Sequence, residues 1–277
     1  MCRKSATAYL MFFAHFCRGV RGARHTVARR PGQGDPCGQG GLLPYARGAL
    51  SAEEHIAAGL ESVLARLADA TARAGRAAGS VRLVAVTKAK PAAAIRAAHA
   101  AGQRDFGENY VQELVQKRAE LADLDGLRWH FIGGLQRNKI RHMAGVALVH
   151  SVDRASLAAG LARRMEADGQ RLEVLVEVNV AGEAQKSGCA PEELPRVLEA
   201  IAASSALSAQ GLMTVPPAVD DAGEARRFFA ELRALRDRHA GVLGRGELSM
   251  GMSHDFEAAI AEGATLVRVG TAIFGAR

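Results

Sequence analysis

Lys88 closes the run VRLVAVTK (81–88), a largely β-branched apolar stretch that ends in a primary amine. Such a run reads as a strand buried on both faces of a parallel sheet, its last residue emerging at the carboxyl edge. An amine held among apolar neighbours loses hydration, which favours the neutral form that attacks carbonyl carbon. Schiff-base formation is the chemistry this placement offers; the alternative is a strand-end lysine reaching solvent. Arg268 is the second unusual residue, because it interrupts LVRVGT (266–271) on the strand face it shares with Gly270. It would point inward, where a guanidinium must be paired or hydrogen-bonded, and Glu177 or Asp153 could supply an ion pair. Ser249 and Ser253 in SMGMS, with Gly270 and Thr271, add hydroxyls and open backbone amides of the kind that hold a phosphate. Ser253 also suits the N-cap of a helix over 254–263, and a cap and a bound phosphate want the same helix end.

These residues need a scaffold that brings distant segments to one edge. Short β-rich runs occupy 81–88, 104–108, 127–132, 147–152, 173–180, 209–214, 247–251 and 266–271. Helical patterns separate them at 92–101, 110–121, 138–143, 155–167, 192–202, 222–239 and 256–261. Eight strands alternating with seven helices predict an α/β fold, a single closed (β/α)8 TIM barrel, in preference to an open doubly wound sheet. In that fold ligands bind at the carboxyl ends of the strands, where Lys88, Asn109, Met213, Ser249 and Arg268 fall. An extra helix precedes the first strand. Ser51 opens it with a capping box to Glu54, and Ile56, Leu60, Val63, Leu64 and Leu67 give it one apolar face as far as about Gly75.

The formal charge of +7 is unevenly spread. Residues 1–50 carry eight Lys/Arg and one acid, which leaves 28 bases against 28 acids from Ser51 onward. The basic balance is thus no argument that the body binds nucleic acid. Residues 1–50 read as a disordered basic leader, an upstream extension rather than a targeting peptide, and 51–277 as the barrel domain. The YLMFFAHF patch is too short to span a bilayer, and the glycines of GQGDPCGQGG lack the strand and helix that a phosphate loop requires. Three of the four cysteines, Cys2, Cys17 and Cys37, lie in the leader; Cys189 stands alone in the body, which fits a reducing, cytoplasmic setting. The histidines show no metal-ligand spacing, and the basic LQRNKIRH segment reads as a solvated helix face.

The strings AVTKAKP, DFGENYVQE, WHFIGGLQRNK, HSVDR, QKSG, GLMTVPP and LSMGMSHDFEAAIAEGATLVRVGTAIFGAR resemble, in order and over the whole of 51–277, the YggS/PROSC-type pyridoxal-phosphate homeostasis proteins. That resemblance implies a fold-type III barrel like the N-terminal domain of alanine racemase, with pyridoxal 5′-phosphate held as an internal aldimine. By position it implies that Lys88 carries the cofactor and that Arg268 stands beside the pyridine nitrogen. It further implies that Ser249, Ser253, Gly270 and Thr271 form the phosphate edge and that Asn109 and Met213 line the ring. The chain departs from the commoner pattern at Gly134 and His254. A guanidinium leaves the pyridine nitrogen unprotonated and so a poor electron sink, which favours holding the cofactor over carbanion chemistry. The implied protein is a monomeric cytoplasmic carrier with apo-enzymes of this cofactor as partners. Two competitors remain: a racemase-like enzyme, for which Tyr110 is the one tyrosine in the body, and a cofactor-free Schiff-base aldolase acting through Lys88.

Overall fold

The computed structural model describes residues 50–183, 185–217 and 222–276. Expectations for residues 1–49 lie outside the described residues. Eight parallel strands close into a barrel in chain order: β1 Arg82–Val86, β2 Asp105–Glu108, β3 Arg128–Phe131, β4 Leu148–Val152, β5 Leu172–Glu177, β6 Leu207–Met213, β7 Glu247–Ser249 and β8 Leu266–Val269. The seam between β8 and β1 sets Val84 opposite Arg268. The helices are α1 Ala52–Arg73, α2 Ala92–Ala100, α3 Val111–Glu120, α4 Ala155–Ala167, α5 Leu194–Ala202, α6 Ala222–Arg238, α7 Phe256–Ala261 and α8 Thr271–Phe274.

Alternation along each strand divides the core in two. Outward side chains such as Leu83, Phe106, Trp129, Val149, Val176 and Val267 meet the helices in one large apolar cluster. Inside, Val84, Leu148, Leu175, Met213 and Leu266 form a small separate plug. Because Leu266 belongs to that plug, Arg268, two residues on, shares its inward face. The capping box at Ser51 is formed, with Ser51 Oγ accepting the Glu54 amide at 3.2 Å and Glu54 Oε2 accepting the Ser51 amide at 2.8 Å. Ile56, Leu60, Val63 and Leu67 are buried, whereas Leu64 is exposed.

Three local expectations change. Residues 137–142 form a 3-10 turn instead of an α-helix, since Ile140 alone is buried there and a short basic segment has too little apolar face to pay for a longer helix. β8 stops at Val269, and Thr271 starts α8, so Thr271 belongs to a helix and not to the strand. The helix after β7 starts at Phe256 with Asp255 at its N-cap, so Ser253 does not cap it. Asp255 Oδ1 instead accepts the Met252 amide at 2.6 Å and shapes the approach.

Tight interior packing makes one glycine testable. A Cβ at Gly211 would collide with the Glu247 carbonyl on the neighbouring strand, whereas one at Gly241 would meet open space. Gly211→Ala is expected to destabilise the fold by about 3 kcal/mol or more in urea denaturation. Gly241→Ala is expected to stay within about 0.5 kcal/mol of wild type.

Candidate functional site

Lys88 sits two residues beyond β1, on a turn held from several sides. Thr87 donates through Oγ1 to Glu108 Oε1 at 2.6 Å, and its carbonyl accepts Lys117 Nζ at 2.7 Å. Lys117 also donates to Glu108 at 2.8 Å and to Glu113 at 2.7 Å. Glu113 in turn accepts the Ala89 amide at 2.8 Å. Ala89 has φ 57°, the one positive φ outside glycine among the described residues. That left-handed step costs an alanine roughly 1 kcal/mol and persists because its surroundings impose it. Lys90 then donates to the carbonyls of Phe274, Gly275 and Ala276 at 2.9–3.1 Å, so the two amines of KAK diverge. Lys90 anchors the end of α8; Lys88, half-buried, borders a cleft at the carboxyl end of the barrel.

That cleft of about 300 Å³ is lined by Val86, Lys88, Asn109, Ile132, Val215, Met252, Ser253, His254, Arg268, Gly270 and Thr271. Six sequence-predicted residues therefore meet there: Lys88, Asn109, Ser253, Arg268, Gly270 and Thr271. Met213 and Ser249 do not line it. Met213 is in the inner plug, and Ser249 lies fully buried beneath Arg268. Apolar Val86, Ile132, Val215 and Met252 were not singled out by sequence, since apolar residues near strand ends carry no chemical signature. Ser253, freed from capping, accepts the Gly270 amide at 3.4 Å and ties the segments after β7 and β8 together. His254 is exposed on the rim. Asn109 is placed by Gly133, where any side chain would strike the Asn109 carbonyl, and Asn109 Oδ1 is buried with no partner among the described residues.

Arg268 is held without an acid in contact. Its Nη1 donates to Ser249 Oγ at 2.6 Å and its Nη2 to the Thr214 carbonyl at 2.9 Å. The expected ion pair with Glu177 or Asp153 is thus replaced by neutral acceptors; Asp153 pairs with Arg154 instead, at 2.5 Å. Burial pushes Arg268 down to about 10, partly offset by the more distant charges of Glu177 and Asp255. The group remains a cation at neutral pH. Burial, then the charge of Asp153, pushes Glu177 up to about 7, against the pull of Arg268. Burial also pushes the Cys189 thiol up to about 12, which makes it a poor nucleophile. Tyr110 is exposed and faces a neighbouring hollow with Gly134, Gln136 and Lys139, outside the Lys88 cleft. Among the described residues no three His, Cys, Asp or Glu side chains assemble as a metal set, and no helix is long and apolar enough to cross a membrane.

The raised carboxyl of Glu177 gives a pH prediction. A folded-state value above the unfolded one contributes stability that is full below about 4.5 and lost as pH rises through about 7. Glu177→Gln should therefore stabilise the protein at pH 8 by up to roughly 3 kcal/mol in urea denaturation, with the gap closing near pH 4.5. Equal effects at both pH values would remove Glu177 as a buried, proton-linked group.

Residues 63–277 match the family model described as alanine racemase, N-terminal domain. A pyridoxal phosphate homeostasis protein of Pseudomonas aeruginosa is 52% identical over 224 residues, covering 80% of this chain and 96% of that protein. Its counterpart in Aquifex aeolicus is 43% identical, covering 79% and 96%. Among solved structures, PipY of Synechococcus elongatus PCC7942 with pyridoxal phosphate (PLP) bound is 39% identical, with TM-score 0.69, covering 79% of this chain and all of that one. Alanine racemase from Corynebacterium glutamicum, 20% identical with TM-score 0.59, covers 80% of this chain and 61% of its own, a likeness of fold.

Proposed function

Because the chain belongs to the pyridoxal phosphate homeostasis proteins, we propose that it binds pyridoxal 5′-phosphate through the Lys88 amine and serves the homeostasis of that cofactor. The observation that carries the reading is the shared cleft: one amine, one buried guanidinium and the hydroxyls of Ser253 and Thr271 border the same space. The space suits a small ligand, standing at the lower end of ligand-pocket volumes. The partnerless Asn109 Oδ1 is an unmet polar group of the kind a bound ligand satisfies.

Bound pyridoxal phosphate supplies an aldehyde that condenses reversibly with amines and a ring that can accept electron density. Lys88 supplies the amine, presented by the Thr87–Ala89 turn. Arg268 supplies N–H donors toward the ring nitrogen, and a guanidinium donates without yielding its proton. It therefore leaves that nitrogen uncharged, which suits retention more than carbanion chemistry. Ser253, Gly270 and Thr271 would hold the phosphate, and Asn109 would border the ring. Ser249 acts one layer lower, through Arg268, and Met213 supports the floor from the plug. Thr271 and His254 are exposed, so the cofactor would be reachable from solvent and could be passed to apo-enzymes. A cytoplasmic, monomeric carrier without evident turnover completes the proposal. The racemase-like alternative lacks a tyrosine on this cleft among the described residues.

Borohydride treatment of the protein incubated with pyridoxal phosphate, followed by peptide mapping, is expected to fix the cofactor on Lys88. Fixation elsewhere, or none, would overturn the assignment. Arg268→Gln should shift the absorption band of bound cofactor and weaken retention about tenfold, the scale of a lost hydrogen bond to a charged group. Unchanged colour and affinity would remove Arg268 from the ring.

A further inference from the structure

A single file of polar side chains crosses the barrel interior from Arg268 to the opposite mouth. Arg268 Nη1 donates to Ser249 Oγ, and Ser249 Oγ lies 2.8 Å from His150 Nδ1. His150 Nε2 lies 2.9 Å from His130 Nδ1, and His130 Nε2 lies 2.9 Å from Asp105 Oδ1. Asp105 is clamped by Arg128, which donates from Nε at 2.7 Å and Nη2 at 2.5 Å. Both imidazoles are buried, their ring centroids 5.1 Å apart and edge-on. The groups come from β2, β3, β4, β7 and β8, so no sequence motif announces the line.

Elementary donor and acceptor rules give the file one direction. Burial opposes charge on Asp105, but hydrogen bonds from Arg128 and His130 outweigh it and hold the carboxyl well below its usual range. A carboxylate only accepts, so His130 must donate from Nε2 and, when neutral, accept at Nδ1. His150 must then donate from Nε2 and accept at Nδ1. Burial first, with the nearby guanidinium charges of Arg268 and Arg82 adding to it, keeps His150 neutral. Ser249 is left to donate its hydroxyl proton to His150 and to turn a lone pair toward Arg268. The opposite His150 tautomer would give Ser249 two incoming donors and strand its own proton in a dry site. A stranded buried donor costs about 1–3 kcal/mol, enough to select one tautomer by about fivefold or more. The charged groups facing His130 are Asp105 from β2, Arg128 from β3, Arg82 from β1, Glu173 from β5 and, from β7 and its approach, Glu247 and Arg245. Those arginines are engaged: Arg82 pairs with Glu247 at 2.5 Å and Arg245 with Glu173 at 2.6 Å.

We infer that Ser249, His150 and His130 are positioning residues for Arg268, a one-way hydrogen-bonded relay that fixes the guanidinium's orientation from the far mouth of the barrel. The inference rests on the reading that Arg268 faces bound pyridoxal phosphate. It adds that the acceptor presented to Arg268 is set by the carboxylate of Asp105, four side chains away.

Two measurements on the full chain test it. Nitrogen-15 spectra of histidine side chains in cofactor-free protein at pH 7, with His130→Gln and His150→Gln used for assignment, should show His150 neutral and both rings protonated on Nε2. An Nδ1-protonated or doubly protonated His150 would overturn the relay, whatever the variants do. With pyridoxal phosphate added, His150→Phe should shift the absorption band and speed cofactor loss about tenfold, the scale of one charged hydrogen bond. His150→Gln, whose amide can donate toward His130 and accept from Ser249, should return both readouts to within about threefold of wild type. Equal behaviour of the Phe and Gln variants would contradict the relay, since a space-filling role does not distinguish them by polarity. Wild-type protein that takes up no pyridoxal phosphate would overturn the site reading and the relay's purpose with it; wild-type uptake with the wrong His150 tautomer would overturn the relay alone.

Discussion

The constraint that organises this molecule is a guanidinium buried in the barrel interior with no carboxylate in contact. Desolvating a charge costs several kcal/mol unless hydrogen bonds replace its water. A direct ion pair with Glu177 would meet that need, yet the structure meets it with the Ser249 hydroxyl and the Thr214 carbonyl. The difference matters for function. A guanidinium locked to an acid has its best donors occupied, whereas one steadied from beneath by neutral oxygens keeps charge and further N–H groups for the cleft. Glu177 stays near enough to be felt, and its carboxyl, pushed up to about 7, is not a full counter-charge at neutral pH.

The lysine side of the cleft is organised differently, by an ionic clamp outside the barrel wall. Glu108 at the end of β2, Glu113 and Lys117 on α3, and Thr87 after β1 lock the turn that presents Lys88. Lys117 is one turn along α3 from Glu113, a spacing that lets a single amine bridge both acids and the Thr87 carbonyl. Nearby, Lys90 is consumed by three carbonyls at the end of α8, which joins the first strand's loop to the last helix. Of the two lysines in KAK, one is structural and one borders the cleft. The identity of the neighbours decides which.

Much of the fold was legible because period and punctuation agree. The runs around Val84, Val149 and Leu175 are short and largely apolar, each is followed by a helical pattern, and each became a barrel strand in sequence order. The inward direction of Arg268 followed from strand alternation alone. What was not legible depended on contacts between strands remote in sequence. Ser249 looked like a rim hydroxyl because it lies near Ser253, but β7 is only three residues long and ends with Ser249 still inside the barrel. Ser253 looked like a cap because it precedes a helix, yet Asp255 starts that helix two residues later. His130 and His150 carried no distinctive signal, since a histidine on an apolar strand is ordinary until its neighbours are known.

The proposed function requires one cleft to bring Lys88 and Arg268 to the same small molecule. A crystal structure of the chain grown with pyridoxal phosphate tests this most directly. Ligand density is expected to be continuous with Lys88 Nζ, the phosphate against Ser253 and Thr271, and Arg268 within hydrogen-bonding distance of the ring nitrogen while still bonded to Ser249. Density joined to another lysine, or an Arg268 turned away from the ring to pair with Glu177, would contradict it.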